Sequence, residues 1–231
     1  MPFFMMFDMQ YLMLVVLPGL LLMGLATLAV KGSFHKYSKI RNSRNLTGAQ
    51  AAEQILRSYG VSNVRVERVS GKLTDHFDPK AMAVRLSDKV HDSTSIAAVG
   101  IAAHEAGHAI QHAEKYAPIK IRMAIVPLCN FGSSIGIWVM IIGFWMEMFE
   151  LMVLGILLFS TVLVFQLITL PVEFNASRRA MQAIHSLHLL EADEARGARK
   201  VLTAAAMTYV AAMLQSIITI LFWVMRARSR R

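Results

Sequence analysis

Two histidines four residues apart, with a glutamate directly after the first, are the residues best suited to do chemistry. His104, Glu105 and His108 form an H-E-x-x-H pattern within an alanine-rich stretch, residues 95–113, that is predicted to be helical. Residues four apart share one face of an α-helix, so both imidazoles can bind the same divalent ion. Glu105 lies one step round the helix and can accept a proton from a water molecule held there. The pattern predicts a zinc site; the alternative is a packed helix whose histidines bond to backbone or water.

The composition is typical of a membrane protein. Of the 231 residues, 55% are hydrophobic, and they are concentrated in long runs without charge. The formal net charge is +9, but the basic residues flank the apolar runs and are not interleaved with exposed aromatic residues. Anionic lipid headgroups therefore explain the charge better than nucleic acid does, and no nucleic-acid partner is expected. The single cysteine, Cys129, excludes an internal disulfide and a site built from several thiolates.

Four apolar runs are predicted to be transmembrane helices, because each has about the 20 residues needed to cross a bilayer. They cover residues 9–30, 123–144, 151–170 and 203–225. The first run lacks a positively charged leading region, which favours a retained anchor over a cleaved signal peptide. The fourth is richer in alanine and less hydrophobic, so the alternative is that it packs against the protein without crossing. Gly132 and Gly136 in the second run predict close helix contact.

The distribution of basic residues predicts the orientation in the membrane. No lysine or arginine precedes residue 9, whereas five basic residues follow the first run: Lys31, Lys36, Lys39, Arg41 and Arg44. The positive-inside tendency therefore places residues 31–122 in the cytoplasm. With four crossings, the four arginines after residue 225 would lie outside, against this tendency. More lysines and arginines lie near the helix ends on the proposed cytoplasmic side than in this tail. The prediction therefore keeps residues 31–122 in the cytoplasm.

Residues 31–122 are polar enough to fold outside the bilayer. Thr47 is predicted to cap a helix whose apolar face contains Ala51, Ala52, Ile55 and Leu56. Alternation predicts strands at residues 64–69 and 81–86, and Asp92 or Ser93 is expected to cap the histidine-bearing helix. The fold class expected is a mainly α, multi-pass membrane protein with about four transmembrane helices. A small α+β, zincin-like soluble portion carries the HExxH helix.

The strands suggest a way to hold a substrate. An exposed strand edge can pair with an extended peptide and lay its backbone across the ion. The alternative is that the strands only complete a small core.

Glu173 is the best candidate for a third metal ligand. Two successive crossings return the chain to the side it left, so the predicted cytoplasmic helical segment at residues 171–202 faces the same compartment as His104. An ionised carboxylate completes a His₂Glu, gluzincin-like site and leaves one position for water. The alternative is a surface glutamate paired with Arg178 or Arg179. His112 continues the four-residue spacing, but it lies about 12 Å along the axis from His104 and is predicted to be a polar helix-face residue.

Several runs resemble the membrane-bound YugP-type neutral zinc metallopeptidases. They are LTDH at residues 73–76, VRLS at 84–87, the histidine pattern at 104–112, LPVEFNAS at 170–177 and ARKVL at 198–202. The resemblance implies metal ligation by His104, His108 and Glu173, with Glu105 as the general base. More distantly, the chain is similar to HtpX-like and prenyl-protein membrane metallopeptidases. In those relatives an aspartate four residues after the glutamate steadies a ligand histidine.

The supporting residues around the metal must differ from those of the distant relatives. Ser177 stands where they have the aspartate, so Asn175 or Ser177 is a candidate for orienting a ligand. His76 precedes the second predicted strand and could donate a hydrogen bond to a developing oxyanion. The alternative for His76 is an ordinary turn residue.

These observations predict a membrane-bound zinc endopeptidase with one catalytic Zn²⁺. Its expected partners are the lipid bilayer and peptide or membrane-protein substrates. One rival is an intramembrane protease with residues 95–113 in the bilayer, which Glu105 and three histidines make costly. The other is a non-enzymatic metal-binding scaffold or a transporter component. A transporter would place its ionisable residues within the crossings, where the four apolar runs contain almost none.

Overall fold

The computed structural model describes residues 9–229, which are mainly helical. The elements in chain order are α1 (Met9–Tyr37), α2 (Gly48–Ser58), β1 (Arg65–Val69), β2 (His76–Asp78), β3 (Ala83–Ser87), α3 (Asp88–His91), α4 (Ile96–Ala113), α5 (Ala117–Trp145), α6 (Phe149–Ser186) and α7 (Ala192–Arg228). Residues Leu12–Val16 of α1 form a π-helical turn. Residues 1–8, Arg230 and Arg231, which enter the orientation argument, lie outside the described residues.

Four of the helices are long and apolar enough to cross a membrane. They are α1 and α5, with 29 residues each, and α6 and α7, with 38 and 37. All four exceed the roughly 20 residues that a bilayer core requires. Together with the small mixed sheet, they confirm the expected fold class.

The two longest helices continue past the predicted ends of their apolar runs. Pro171 directly follows the apolar run that ends at residue 170, and α6 runs through it as one element. Similarly, α7 begins at Ala192, well before the apolar run at residue 203. Each helix therefore has an apolar part and a polar part joined without a loop.

The chain forms two compact units, and the first contains the apolar helix segments. Its described parts are residues 9–27, Lys120–Leu170 and 208–229. Met140 and Met152 are fully buried in its core, together with Phe222 and Trp223. The expected close contact at Gly136 is confirmed, because a Cβ built there would lie 2.7 Å from the backbone nitrogen of Phe159.

The second unit comprises Leu28–Ile119 and Pro171–Met207 and contains a three-stranded sheet. The strand order is β1-β3-β2, with β3 parallel to β1 and antiparallel to β2. Val84 and Leu86 of β3 are fully buried, as expected for a central strand. The two predicted strands are present as β1 and β3. Strand β2 was not predicted, because its three residues are too few to show an alternation of apolar and polar side chains.

Both predicted helices of this unit are present, but one cap is different. Thr47 caps α2 through a capping box with Gln50, as the sequence predicts. The cap of α4 is Ser95, whose hydroxyl accepts a hydrogen bond from the backbone of Ala98. Asp92 is instead engaged by His91 and Arg68, and Ser93 hydrogen-bonds to Ser95, so the expectation of Asp92 or Ser93 as the cap was wrong.

The histidine-bearing helix α4 lies at the centre of the second unit. Fourteen of its 18 residues are buried, and many of them are alanines. Small side chains let neighbouring elements approach the helix from several sides, so its orientation is fixed by packing. The buried cluster around it includes Ile55 of α2, Leu86 of β3, Ile184 of α6 and Ala198 of α7.

Candidate metal centre

Helices α4 and α6 make a very close approach at the glycine of the histidine pattern. A Cβ built on Gly107 would lie 2.7 Å from the carbonyl oxygen of Ala176, a separation that real Cβ atoms essentially never show. Glycine is therefore required where the two backbones meet. Glu173 lies three residues before Ala176 on α6, so this contact brings its carboxylate to the face of α4 that carries the histidines.

Three predicted ligands converge at this contact. Oε2 of Glu173 lies 3.4 Å from Nε2 of His104 and 3.6 Å from Nε2 of His108. The candidate ligand atoms of the three residues all lie within 4.8 Å of one another. The imidazole rings are nearly perpendicular, with centroids 4.7 Å apart. Residues separated by 69 positions in sequence thus present donor atoms to a single point.

The donor set and its spacing suit a zinc ion. Zinc in proteins takes imidazole nitrogen and carboxylate oxygen in tetrahedral sites, with bonds of about 2.0–2.2 Å. Such bonds place neighbouring ligand atoms roughly 3.4 Å apart. The separations of 3.4 and 3.6 Å between the histidine nitrogens and the Glu173 oxygen agree with that spacing.

The site is shielded from solvent, and its charges are strongly coupled. Glu173 is only 3% exposed. Burial alone would raise the pKa of its carboxyl, but hydrogen bonds and charge from His104 and His108 hold that pKa well below its usual range. Burial likewise opposes protonation of His108, yet its hydrogen bond to Glu173 and the charges of Glu105 and Glu173 raise its pKa. Glu173 therefore stays ionised, which is the form that binds a metal.

Gln111 orients His108 and was not identified from the sequence. Its Oε1 accepts a hydrogen bond from Nδ1 of His108 at 3.0 Å, which leaves Nε2 facing Glu173. The Gln111 amide group donates to the carbonyl oxygen of Val172 and to Oδ1 of Asn175, at 2.8 and 2.9 Å. Gln111 is completely buried. Because Gln111 stands three residues after His108 on the same helix, the sequence alone could have predicted that the two side chains are neighbours.

A second network steadies the partners of Gln111. Oδ1 of Asn175 also accepts a hydrogen bond from Nε of Arg179 at 2.7 Å. Arg179 in turn forms an ion pair with Glu114 at 2.7 Å. Asn175 is thus linked to His108, a proposed metal ligand, through Gln111. Arg179 pairs with Glu114, where the sequence left open a pairing with Glu173.

Ser177 contacts the other histidine. Its hydroxyl oxygen lies 3.1 Å from Nδ1 of His104, on the opposite side of the ring from Glu173. A ligand histidine commonly has its second nitrogen fixed by such a partner, which sets the ring orientation. Ser177 occupies the position where the distant relatives carry an aspartate, and here a hydroxyl contacts the ring instead.

The remaining candidates lie at different positions around the unit. Glu105 is buried, and its charge acts on His108. His112 is not part of the three-ligand cluster and packs its ring against Phe77 at a centroid distance of 5.6 Å. His76 begins β2, is exposed, and places Nδ1 2.8 Å from the carbonyl oxygen of Thr74. Among the described residues, neither His76 nor His112 belongs to the cluster formed by His104, His108 and Glu173.

The sequence of the chain matches a known protein family. A family described as "Putative neutral zinc metallopeptidase" matches residues 12–228. The chain is also 48% identical over 200 residues to "Putative membrane protease YugP" of Bacillus subtilis (strain 168), covering 87% of this chain and 89% of that protein. No solved structure matches the chain. The match extends over nearly the whole described chain, and the protein therefore belongs to the neutral zinc metallopeptidase family.

Proposed function

We propose that this protein is a membrane-bound zinc endopeptidase that hydrolyses peptide bonds in membrane-associated or unfolded proteins. The observation that carries the proposal is the convergence of His104, His108 and Glu173 within 4.8 Å. In this proposal the three side chains hold one zinc ion. When bound, zinc supplies Lewis acidity, which lowers the pKa of water and polarises a carbonyl oxygen.

Glu105 is the proposed general base. It follows His104 directly, is buried beside the cluster, and its charge acts on His108. Its carboxylate takes a proton from the attacking water while the water oxygen bonds to the scissile carbonyl carbon. As the carbon–nitrogen bond breaks, Glu105 returns that proton to the leaving amine. The carboxylate is thereby regenerated, and the two products are a carboxylic acid and an amine.

Substrate is proposed to bind as an extended strand. In the sheet order β1-β3-β2, the short strand β2 stands at one edge and pairs on its other side with β3. Such an edge presents backbone donors and acceptors that an extended peptide can use. His76 is not assigned a catalytic role in this proposal, because its Nδ1 is directed at the Thr74 carbonyl.

The active site is proposed to face the cytoplasm. The five basic residues between Lys31 and Arg44 support this orientation through the positive-inside tendency. Glu173 follows the apolar run that ends at residue 170 by three residues of the same helix. A membrane-bound substrate is therefore favoured over a purely soluble one.

The two rival functions receive less support. The four helices with the length and composition of membrane spans are α1, α5, α6 and α7, and α4 is not among them in residues 9–229. Instead α4 packs with α2 and β3 in a core of its own unit, which argues against an intramembrane site. A metal-binding scaffold without activity shares the ligands, so hydrolysis is the test that separates it from a peptidase.

The decisive variant for catalysis is Glu105→Gln. Purified zinc-loaded protein should retain wild-type zinc content but cleave an unfolded protein substrate about 10²–10⁴ times more slowly, because general-base catalysis is lost. Glu53→Gln, on an exposed face of α2, is the matched control and should keep full activity. Unchanged cleavage by Glu105→Gln would refute the role of Glu105. A zinc-loaded wild type that cleaves no unfolded or membrane-protein substrate would favour the scaffold.

A further inference from the structure

An open cleft of about 990 Å³ lies between the polar parts of α6 and α7, apart from the three-ligand cluster. Its walls come from two turns or more of each helix, at residues 174–186 of α6 and 199–206 of α7. None of the three proposed metal ligands lines it. The cleft is large enough for a ligand headgroup, since small-molecule sites commonly have 300–1,000 Å³.

The two charged residues that line the cleft are both arginines. Arg178 comes from α6 and Arg199 from α7, so two different helices direct guanidinium groups at the same space. His185 lines the same cleft. Across residues 9–229, no acidic side chain lines it. The cleft is therefore complementary to an anion.

The two arginines have no partner within the described chain. Neither guanidinium makes a hydrogen bond or an ion pair among residues 9–229, and both side chains are exposed. By contrast, the neighbouring Arg179 and Arg196 are paired with Glu114 and Asp193. Arg178 and Arg199 thus keep their donors available for an external ligand. A guanidinium binds phosphate oxygens especially well, because its donors match them in pairs.

Apolar side chains also line the cleft. Phe174, Leu202 and Ala206 line it, and Phe174 is 47% exposed. Phe174 follows the apolar run that ends at residue 170, Leu202 directly precedes the run that begins at residue 203, and Ala206 lies within that run. Arg178 follows residue 170 by eight positions of one helix, a rise of about 12 Å. The ligand that fits has a negative head and a hydrocarbon body at the membrane side.

We propose that this cleft binds an anionic phospholipid of the membrane, with its phosphate held by Arg178 and Arg199. Basic pockets at the cytoplasmic ends of membrane helices bind phospholipid headgroups for the same electrostatic reason. The lipid's acyl chains run past Phe174 and Leu202. An acidic peptide would pair with the arginines but would leave the apolar lining residues without a matching group.

The proposed lipid site adjoins the metal centre through one residue. Ser177 lines the cleft, and its hydroxyl lies 3.1 Å from Nδ1 of His104. An occupant of the cleft therefore contacts the side chain that holds a proposed ligand histidine. The binding itself does not depend on peptidase activity, so its test uses no hydrolysis.

Lipid binding to the full-length protein in detergent is measured by native mass spectrometry. The probes are dioleoyl phosphatidylglycerol, dioleoyl phosphatidylcholine and inorganic phosphate. One phosphatidylglycerol should bind at least tenfold more tightly than phosphatidylcholine. The double variant Arg178→Gln/Arg199→Gln should weaken that binding about 30-fold, equivalent to ~2 kcal/mol at 1.4 kcal/mol per tenfold change.

The control removes two cations that do not line the cleft. In Arg57→Gln/Lys200→Gln both positions are exposed, and Lys200 directly follows Arg199. This control should bind phosphatidylglycerol within about twofold of wild type. If Arg178→Gln/Arg199→Gln does not fold, the single variants Arg199→Gln and Lys200→Gln are compared instead. Only Arg199→Gln should weaken phosphatidylglycerol binding.

Three results would overturn the proposal. Equal weakening in the two double variants would show only a general surface-charge effect. Displacement of phosphatidylglycerol by inorganic phosphate at equal concentration would indicate a phosphate-ion site with no role for the lipid chains. Tighter binding of an aspartate-rich peptide than of phosphatidylglycerol, lost with Arg178 and Arg199, would assign the cleft to a protein partner.

Discussion

At the scale of single residues, the proposed metal centre has a supporting group behind each of its two histidines. His104 and His108 direct Nε2 at Glu173, while Nδ1 of each ring contacts Ser177 or Gln111. A contact at Nδ1 restricts rotation of the ring, so less entropy would be lost if the proposed metal binds. The buried amide of Gln111 also ties α4 to the backbone of α6 at Val172.

Replacing Gln111 tests this support. Gln111→Leu keeps a side chain of similar volume but removes the acceptor for Nδ1 of His108 and the hydrogen bond that Gln111 donates to the Val172 carbonyl. We expect zinc affinity to fall about 10–100-fold, as is usual when such an outer partner is lost. Competition with a fluorescent zinc chelator measures this affinity.

The matched control is Gln54→Leu, which makes the same replacement on an exposed face of α2. It should leave zinc affinity unchanged. Wild-type affinity in Gln111→Leu, with the fold intact by circular dichroism, would show that Gln111 does not position His108.

The residues of the H-E-x-x-H pattern were predictable because four-residue spacing on a helix is a local property of sequence. Glu173 required one further step, the count of membrane crossings that returns the chain to the same side. Gln111 was missed although it stands three residues from His108, because a glutamine on a helix is usually solvated. Its burial depends on Val172 and Asn175, which are distant in sequence, and no local pattern contains that contact.

At the scale of elements, the contact between α4 and α6 determines whether the ligands meet. Gly107 permits the approach of the two backbones, and a Cβ there would lie 2.7 Å from a carbonyl oxygen that cannot move independently of its helix. Gly100, two turns earlier on α4, faces α7, where a Cβ would lie 3.1 Å from the Ala198 side chain. An added methyl group would therefore clash more severely at Gly107 than at Gly100.

Adding one methyl group at each position tests this difference. Gly107→Ala should push α6 away from α4, lower stability by about 1–3 kcal/mol and weaken zinc binding at least tenfold. Gly100→Ala needs a shift of only a few tenths of an ångström and lies away from the ligands, so zinc binding should change little. Thermal unfolding and chelator competition on both proteins measure these effects. Equal zinc affinity in the two variants would contradict the proposed role of the α4–α6 contact.

The element boundaries show where the sequence was informative and where it was not. The capping box at Thr47 and the alternation of β1 are local signals, and both elements are present. The ends of α6 and α7 were not predictable from hydropathy, because a helix can continue after its apolar face ends. Pro171 lacks the amide hydrogen that the helix would use at this position, yet α6 continues through it to Ser186. The strand β2 forms only because β3 offers it an edge.

At the scale of the whole molecule, the proposed topology determines where substrates are met. In the proposed topology, residues 31–122 and 171–202 lie in the cytoplasm, and the candidate metal centre lies close to the membrane. The basic tail after residue 225 opposes this orientation, so the prediction needs a direct test.

Cysteine accessibility provides that test. With Cys129→Ala as background, Glu53→Cys introduces a thiol on the exposed face of α2. A membrane-impermeant maleimide should leave this thiol unlabelled in intact cells and label it fully after permeabilisation. Full labelling of Glu53→Cys in intact cells would place the second unit outside and reverse the proposed orientation.

The central claim is that one zinc ion is held by two imidazoles and the Glu173 carboxylate, and zinc-edge X-ray absorption on the purified protein tests it most directly. The account predicts one zinc per chain, with two imidazole nitrogens and carboxylate oxygen at about 2.0–2.2 Å. Glu173→Gln should lose most of the metal at equal protein concentration, while Glu105→Gln keeps it. An unchanged zinc spectrum in Glu173→Gln, or zinc bound with a single imidazole, would contradict the account.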